Sequence, residues 1–508
     1  MKLERTKNTK RNIFFGIINK IVTLILPFII RTILIKIIGV EYAGLNSLFT
    51  SILQVLNLTE LGFGSAVVYS MYKPIAENDS KMICALLNFY KKVYKIIGII
   101  ILIVGICLTP FLPYFVKGDC PPNINLYLLY FIYLINTVST YLLFAYKSAL
   151  LSAHQRTDVI SNIMTITQGL MYIFQIIALI LTKNYYLYII FLPIFTVVNN
   201  IINAIIVKKM YPEYICKGNL DKKVLMEIKQ KVSGLMINKL CATTRNTFDS
   251  IFISSFLGLT VTAIYGNYYY IINSILGIIS VLAGSMLAGV GNSIQTESIN
   301  KNYEDLKKFN FLYMWISGWC TVCLACLYQP FIKLWLGEKF LFKYSVVILL
   351  CAYFYLLKMG DIRGMYSDAA GLWWENRYRA IIESVANLIL NFLFVKFLGI
   401  YGIILATLIS LFFINFIGGS HIVFKYYFKN GKLKEYFCLH LKYCIVTIIV
   451  TMITIMLCSL IKGNDIIILI IRGIICCIIP NILYWLFYRK TSEYKVSIPW
   501  ILDKLKKK

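Results

Sequence analysis

Long apolar runs, separated by short segments rich in lysine and arginine, dominate the chain of 508 residues. A helix that crosses a bilayer needs about 20 mostly apolar residues. Fourteen stretches meet that need: 13–38, 44–72, 93–116, 125–149, 159–182, 185–207, 233–257, 264–292, 309–332, 344–371, 379–398, 401–424, 439–461 and 465–488. Their length and their unbroken Ile, Leu and Phe content predict helices, because the strands of a membrane barrel are short and alternate.

The polar segments set an orientation. With the N-terminus inside and the fourteen spans alternating, the inner segments hold 36 Lys+Arg and the outer ones 7. That bias follows the positive-inside rule and predicts a multi-pass protein of the cytoplasmic membrane with both termini cytoplasmic. The N-terminal stretch is read as a retained first span, since it lacks the short core and small-residue cleavage site of a secretory signal. The predicted organisation is a basic N-terminus (1–12), a lobe of six helices (13–207), a basic cytoplasmic linker (208–232) and a second six-helix lobe (233–424). Two additional helices (439–488) and a basic tail (489–508) follow. The tail pairs Val496, Ile498, Trp500, Ile501, Leu502 and Leu505 with Lys504, Lys506, Lys507 and Lys508, which reads either as an interfacial helix on anionic lipid or as a frayed basic end.

Composition narrows the function. Hydrophobic residues make up 59% of the chain and charged ones 15%, against about a quarter charged in soluble domains. A water-soluble enzyme is excluded. The net charge of +28 lies between apolar runs, so anionic membrane lipid, not nucleic acid, is the expected partner. Outer loops are too short to fold a catalytic domain, which weighs against a membrane-embedded sugar polymerase or transferase. There is no Walker A motif, no nucleophile constellation and no evident cofactor site. The 14 cysteines lie mostly inside apolar runs and form no disulfide framework of the secreted kind. Cys320, Cys323 and Cys326 form C-x2-C-x2-C, but position 330, where an iron–sulfur run would place its fourth cysteine, is Pro330. Packing by small residues is the expectation there. His154, His421 and His440 are too scattered for a metal site.

The chain also carries an internal repeat. Ile18-Asn19-Lys20 matches Ile237-Asn238-Lys239, and each lysine precedes a glycine by 19 residues, Gly39 and Gly258. Tyr42 aligns with Tyr265, and Ser51-Ile52-Leu53 with Ser274-Ile275-Leu276. Copies in the same orientation point to two halves related by an axis along the membrane normal, with a site where the halves meet.

Eight basic residues fall within predicted spans: Lys20, Arg31, Lys36, Lys239, Arg245, Lys358, Arg363 and Arg472. Each costs about 2.5–3.5 kcal/mol at the bilayer centre; Lys20 and Lys36 can snorkel. Lys20 and Arg31 share a helix face, about 16 Å apart along the axis. Lys358 and Asp361 form an expected i,i+3 pair. Arg245 either pairs with Asp249 at i+4 or faces a ligand. Glu60 either neutralises a first-helix cation or titrates during transport. A pocket lined by Lys20, Arg31, Lys239, Arg245 and Arg363 suits a diphosphate, for which arginine offers a planar fork and lysine a point charge. An exporter of cationic drugs would place acids and aromatics there instead. Tyr265 to Tyr270 reads as a stacking surface for sugar rings or as an interfacial belt.

The run Gly44-Leu45-Asn46-Ser47-Leu48-Phe49-Thr50, continuing through Glu60-Leu61-Gly62 to Tyr72-Lys73-Pro74, resembles the polysaccharide-biosynthesis flippases. So does Phe248-Asp249 through Gly258 with Tyr265-Gly266-Asn267-Tyr268. These are the Wzx-type members of the multidrug/oligosaccharidyl-lipid/polysaccharide exporter superfamily. The resemblance covers about residues 1–425. It implies an all-α fold like that of the multidrug-and-toxin exporters, with two pseudo-symmetric six-helix lobes around a cavity lined by first- and seventh-helix cations. The implied activity is non-enzymatic: undecaprenyl-diphosphate-linked oligosaccharide is moved across the cytoplasmic membrane by alternating access, for capsule, O-antigen or exopolysaccharide synthesis. Polymerase and glycosyltransferases of the same pathway are the implied partners, and Glu60 and Asp249 the candidates for ion coupling. The alternative is an ion-coupled multidrug antiporter of the same fold.

Overall fold

The computed structural model describes residues 5–57, 63–117, 120–121, 123–222, 225–226, 241, 243, 247–429, 431–461 and 463–506. Among these, secondary structure is entirely helical. Two compact units result, residues 1–263 and 264–508.

The first unit contains α1 (Arg5–Ile37), α2 (Val40–Leu56), α3 (Phe63–Ala76), α4 (Ser80–Leu108), α5 (Leu126–Leu142), α6 (Ser148–Ala153), α7 (Thr157–Thr182) and α8 (Tyr185–Met210). It also contains α9 (Thr247–Leu257) and the first turn of α10 (Leu259–Thr296). Helix starts follow the polar residues between apolar runs. The Asn125 side chain accepts from the Tyr127 and Leu128 amides, and Asn184 from those of Tyr186 and Leu187, so each satisfies amides that a helix start leaves open. α1 lies mainly along α7, where Asn19 donates to Thr165 Oγ1 at 3.1 Å.

The second unit contains α11 (Ile299–Leu336), α12 (Tyr344–Met359), α13 (Asp361–Ala369), α14 (Trp373–Leu398), α15 (Ile400–Phe428), α16 (Leu433–Ser459), α17 (Asp465–Tyr488) and α18 (Ser492–Lys506). α11 is its central post, packed by α12, α16, α17 and α18. Gly318 on α11 leaves room for the Tyr484 hydroxyl of α17 and for Thr447 of α16, which a Cβ would meet at 2.5 and 2.9 Å. α15 widens into π-helix over Ser410–Gly418 and again over Phe424–Phe428. The tail is helical over Ser492–Lys506 and docks on α11, with Trp500 edge-on to Phe309 and the Ser497 hydroxyl donating to the Lys308 carbonyl.

Among the described residues, ten helices are long and apolar enough to cross a membrane, or eleven when α5 and the bent segment Ala145–Ala153 count as one span. Each coincides with a span predicted from hydropathy. The predicted span 264–292 lies within the single helix α10. The other two, 44–72 and 233–257, include residues outside the described set. The chain is a multi-pass membrane protein.

The predicted repeat has a structural counterpart. Gly39 and Gly258 both sit at positive φ, +138° and +94°, and each starts the following helix. The Gly39 amide donates to the Leu34 carbonyl and the Gly258 amide to that of Ile253, five residues back in both copies. A side chain is strained at such φ, which is why glycine recurs at the same interval.

Candidate functional site

Arg31 of α1 is half-buried and donates to Ser47 Oγ of α2 at 3.4 Å and to the Ala263 carbonyl of α10 at 3.1 Å. The run Gly44–Ser47 explains that seat residue by residue. Gly44 touches the backbone of α10, where a Cβ would come 2.3 Å from the Leu259 carbonyl oxygen; only glycine lets the two helices approach so closely. Asn46 accepts from the Tyr133 hydroxyl at 2.7 Å, and Ser47 accepts from Arg31. Beyond them, Tyr133 and Tyr185 join hydroxyls at 3.3 Å, Tyr185 donates to the Tyr42 carbonyl, and Tyr188 stacks on Tyr185. Arg31 acts electrostatically on Tyr185 and Tyr188. The result is one cation at the head of an aromatic, hydroxyl-rich cluster. Such a surface can hold an anion by charge and flank it with hydrogen-bonding rings.

Lys20 lies on the same helix and is exposed. The Thr23 hydroxyl folds back onto the Asn19 and Lys20 carbonyls, and Pro27 interrupts the backbone ladder of α1 between the two cations. Asp249 is buried in α9. Lys239, Arg245 and Glu60 lie outside the described residues.

Arg363 stands in the second unit, and its surroundings differ. It is buried in α13 and donates through Nη1 to the Asn415 carbonyl at 2.9 Å and through Nη2 to Asn415 Oδ1 at 3.3 Å. A Cβ on Gly360 would lie 2.8 Å from Nη2, and one on Gly419 only 1.8 Å from Nη1, so the guanidinium is threaded between two glycines. Asn415 donates to Glu383 at 2.9 Å, Arg379 pairs with Glu383 at 2.6 Å, Arg379 donates to Asn376 and Asn376 to Ser367. Because Ser367 is on α13 with Arg363, these contacts close a polar ring through α13, α14 and the π-helical part of α15. Asn415, Arg379 and Asn376 were not singled out from sequence. Asparagines buried inside an apolar run were the available signal.

Lys358 and Asp361 pair as expected, across the break at Gly360. Tyr268 is fully buried and hydrogen-bonded to Gln329 and to the Phe342 amide. It therefore anchors α11 and the segment before α12, and serves neither as a stacking platform nor as an interfacial belt.

A family model described as polysaccharide biosynthesis protein matches residues 9–288. The chain belongs to that family. Among curated protein sequences nothing matches. Solved structures share the fold. An inward closed lipid II flippase, MurJ, is 19% identical with a TM-score of 0.64, covering 94% of this chain and 99% of its own. An inward-facing multidrug resistance transporter of the MATE family, within the MOP superfamily, is 15% identical with a TM-score of 0.59, covering 81% of this chain and 95% of its own. A Vibrio cholerae MATE transporter is 15% identical with a TM-score of 0.57, covering 85% and 99%. The chain therefore shares the fold of these structures.

Proposed function

We propose that the protein is a flippase that carries diphosphate-linked oligosaccharide on an undecaprenyl lipid across the cytoplasmic membrane by alternating access, with fourteen spans in two six-helix lobes plus two, and with both termini cytoplasmic. The observation that carries the reading is Arg31: a half-buried arginine in the first helix, seated by the family-like Gly44–Ser47 run beside the tyrosine cluster. A cation so placed is costly in an apolar span, and an anionic headgroup recovers that cost. Family membership and the likeness to a lipid II flippase support a lipid-linked substrate.

In this reading Lys20 captures the diphosphate and Arg31 receives it, with Lys239, the counterpart of Lys20 in the second copy of the repeat, and Arg245 as the cations of the seventh helix. Arg363 is left out of the substrate set, because it is buried and both its Nη atoms are engaged by Asn415. Glu60 and Asp249 remain the candidates for ion coupling. Glycosyltransferases and a polymerase of the same pathway would supply and consume the cargo.

The MATE neighbours favour a second reading, an ion-coupled antiporter of cationic drugs. The two part on Arg31 and Lys20. In vesicles loaded with fluorescent undecaprenyl-diphosphate sugar, the wild type should expose label to an impermeant glycosidase on the far side, and the Lys20→Ala/Arg31→Ala protein should not. Equal translocation by both at equal protein level would remove this site. Dye efflux unaffected by the double substitution would establish the antiporter.

A further inference from the structure

Three cysteines from three different helices converge in the second unit. Cys326 of α11, Cys458 of α16 and Cys476 of α17 have sulfurs that all lie within 4.8 Å of one another, and all three residues are buried. Of the C-x2-C-x2-C run only Cys326 joins this group of three; Cys323 contacts Cys476 alone, by a side-chain hydrogen bond and with its sulfur 4.0 Å from the Cys476 carbonyl. The junction around them is well tied. Trp319 donates to the Cys476 carbonyl at 2.7 Å and Trp315 to Asn481 at 3.0 Å, while Tyr484 donates to Thr447 over Gly318. Arg472, one turn before Cys476 on α17, acts electrostatically on both Cys458 and Cys476.

We propose that Cys326, Cys458 and Cys476 form a three-sulfur site for Cu(I) that clamps α16 and α17 onto α11. Packing alone asks only for small apolar residues. It does not ask for thiols from three helices to meet at ligand distance, and soft sulfur ligands select Cu(I) over hard cations. Among the described residues no fourth His, Cys, Asp or Glu joins the group, which disfavours the four-coordinate preference of Zn(II). Charge balances. Cu(I) binds as the reduced ion, two thiols release their protons to solvent and the third sulfur ligates as a thiol. The centre then carries one negative charge, offset by the Arg472 guanidinium. Cys458 is the last residue but one of α16.

The test uses the full-length protein, reduced and purified anaerobically in detergent, titrated with Cu(I) against the chromophoric chelator bicinchoninate. The wild type and Cys323→Ser should withhold one equivalent. Cys458→Ser and Cys476→Ser should weaken binding by about a hundredfold, and Arg472→Gln by about tenfold. X-ray absorption of the copper-loaded wild type should show sulfur as the first shell, a readout that no variant's folding affects. Copper held equally by Cys458→Ser, no retention by the wild type, or a nitrogen and oxygen first shell would each overturn the site.

Discussion

Arg31 and Arg363 carry the same sequence signal, an arginine inside an apolar run, and the structure gives them opposite surroundings. Arg31 is half-exposed and meets a hydroxyl at 3.4 Å and a carbonyl at 3.1 Å. Arg363 is buried, hemmed by two glycines and enclosed in a ring of polar side chains. A buried charge persists when its donors are satisfied, and removing a partner is then costly because the charge is left alone. A half-buried charge keeps part of its surface accessible besides the partners that hold it. The contrast teaches that the number of cations in the spans overstates the number available to a substrate.

The most severe way to break the comparison is Gly419→Ala. Its Cβ would lie 1.8 Å from Arg363 Nη1, so the guanidinium must leave its seat on Asn415. Loss of folded protein is expected, read as collapse of the monodisperse peak in gel filtration. Gly44→Ala is the first-unit counterpart. There the obstacle is the Leu259 carbonyl, so α2 and α10 must separate and the Ala263 carbonyl moves off Arg31.

Next comes Arg363→Met against Arg31→Met. The first strips charged hydrogen bonds worth about 1.5–3 kcal/mol each and should lower the thermal midpoint by several degrees. The second should leave the midpoint near wild type and reduce translocation about tenfold or more, a loss of about 1.4 kcal/mol in substrate interaction. If Arg31→Met unfolds the protein and Arg363→Met alters only transport, the assignment of roles is reversed. Lys20→Ala, which removes an exposed charge, should cost translocation only severalfold, and added salt should shrink the difference from wild type.

The smallest effect concerns a group kept neutral. His154, just after α6, is buried, with Nδ1 at 2.9 Å from the Leu150 carbonyl and its ring 4.3 Å from that of Tyr211. Burial holds its pKa below the usual 6.5. The folded state thus favours the neutral ring, and this contribution is complete above about pH 6.5 and declines as pH falls through the lower folded value. Between pH 8 and pH 5 the wild type should lose more thermal stability than His154→Gln, by a small margin. Equal losses would mean that the imidazole is already charged in the folded protein.

Much of this was legible in the chain. Ten of the predicted spans, or eleven with the bent pair, are apolar helices among the described residues, because hydropathy over about 20 residues is a local property. The spacing from Lys20 to Gly39 and from Lys239 to Gly258 found both positive-φ junctions, since a helix end that needs glycine marks itself in sequence. Gly44, Asn46 and Ser47 were noticed as a family-like run, but their separate duties became clear only from what they touch. Asn415, Arg379 and Asn376 were missed because the ring that joins them to Arg363 forms only where the successive helices α13, α14 and α15 pack side by side. Cys458 and Cys476 carry no spacing relation to Cys326.

The sequence by itself therefore determined an all-helical membrane chain, its charge bias and the repeat, because hydropathy, helix period and glycine's backbone freedom act over one or two turns of chain. Tertiary structure alone decided which arginine is enclosed and which is partly exposed, and which three of fourteen cysteines meet. Those outcomes depend on distances between helices distant along the chain, and no local pattern encodes them.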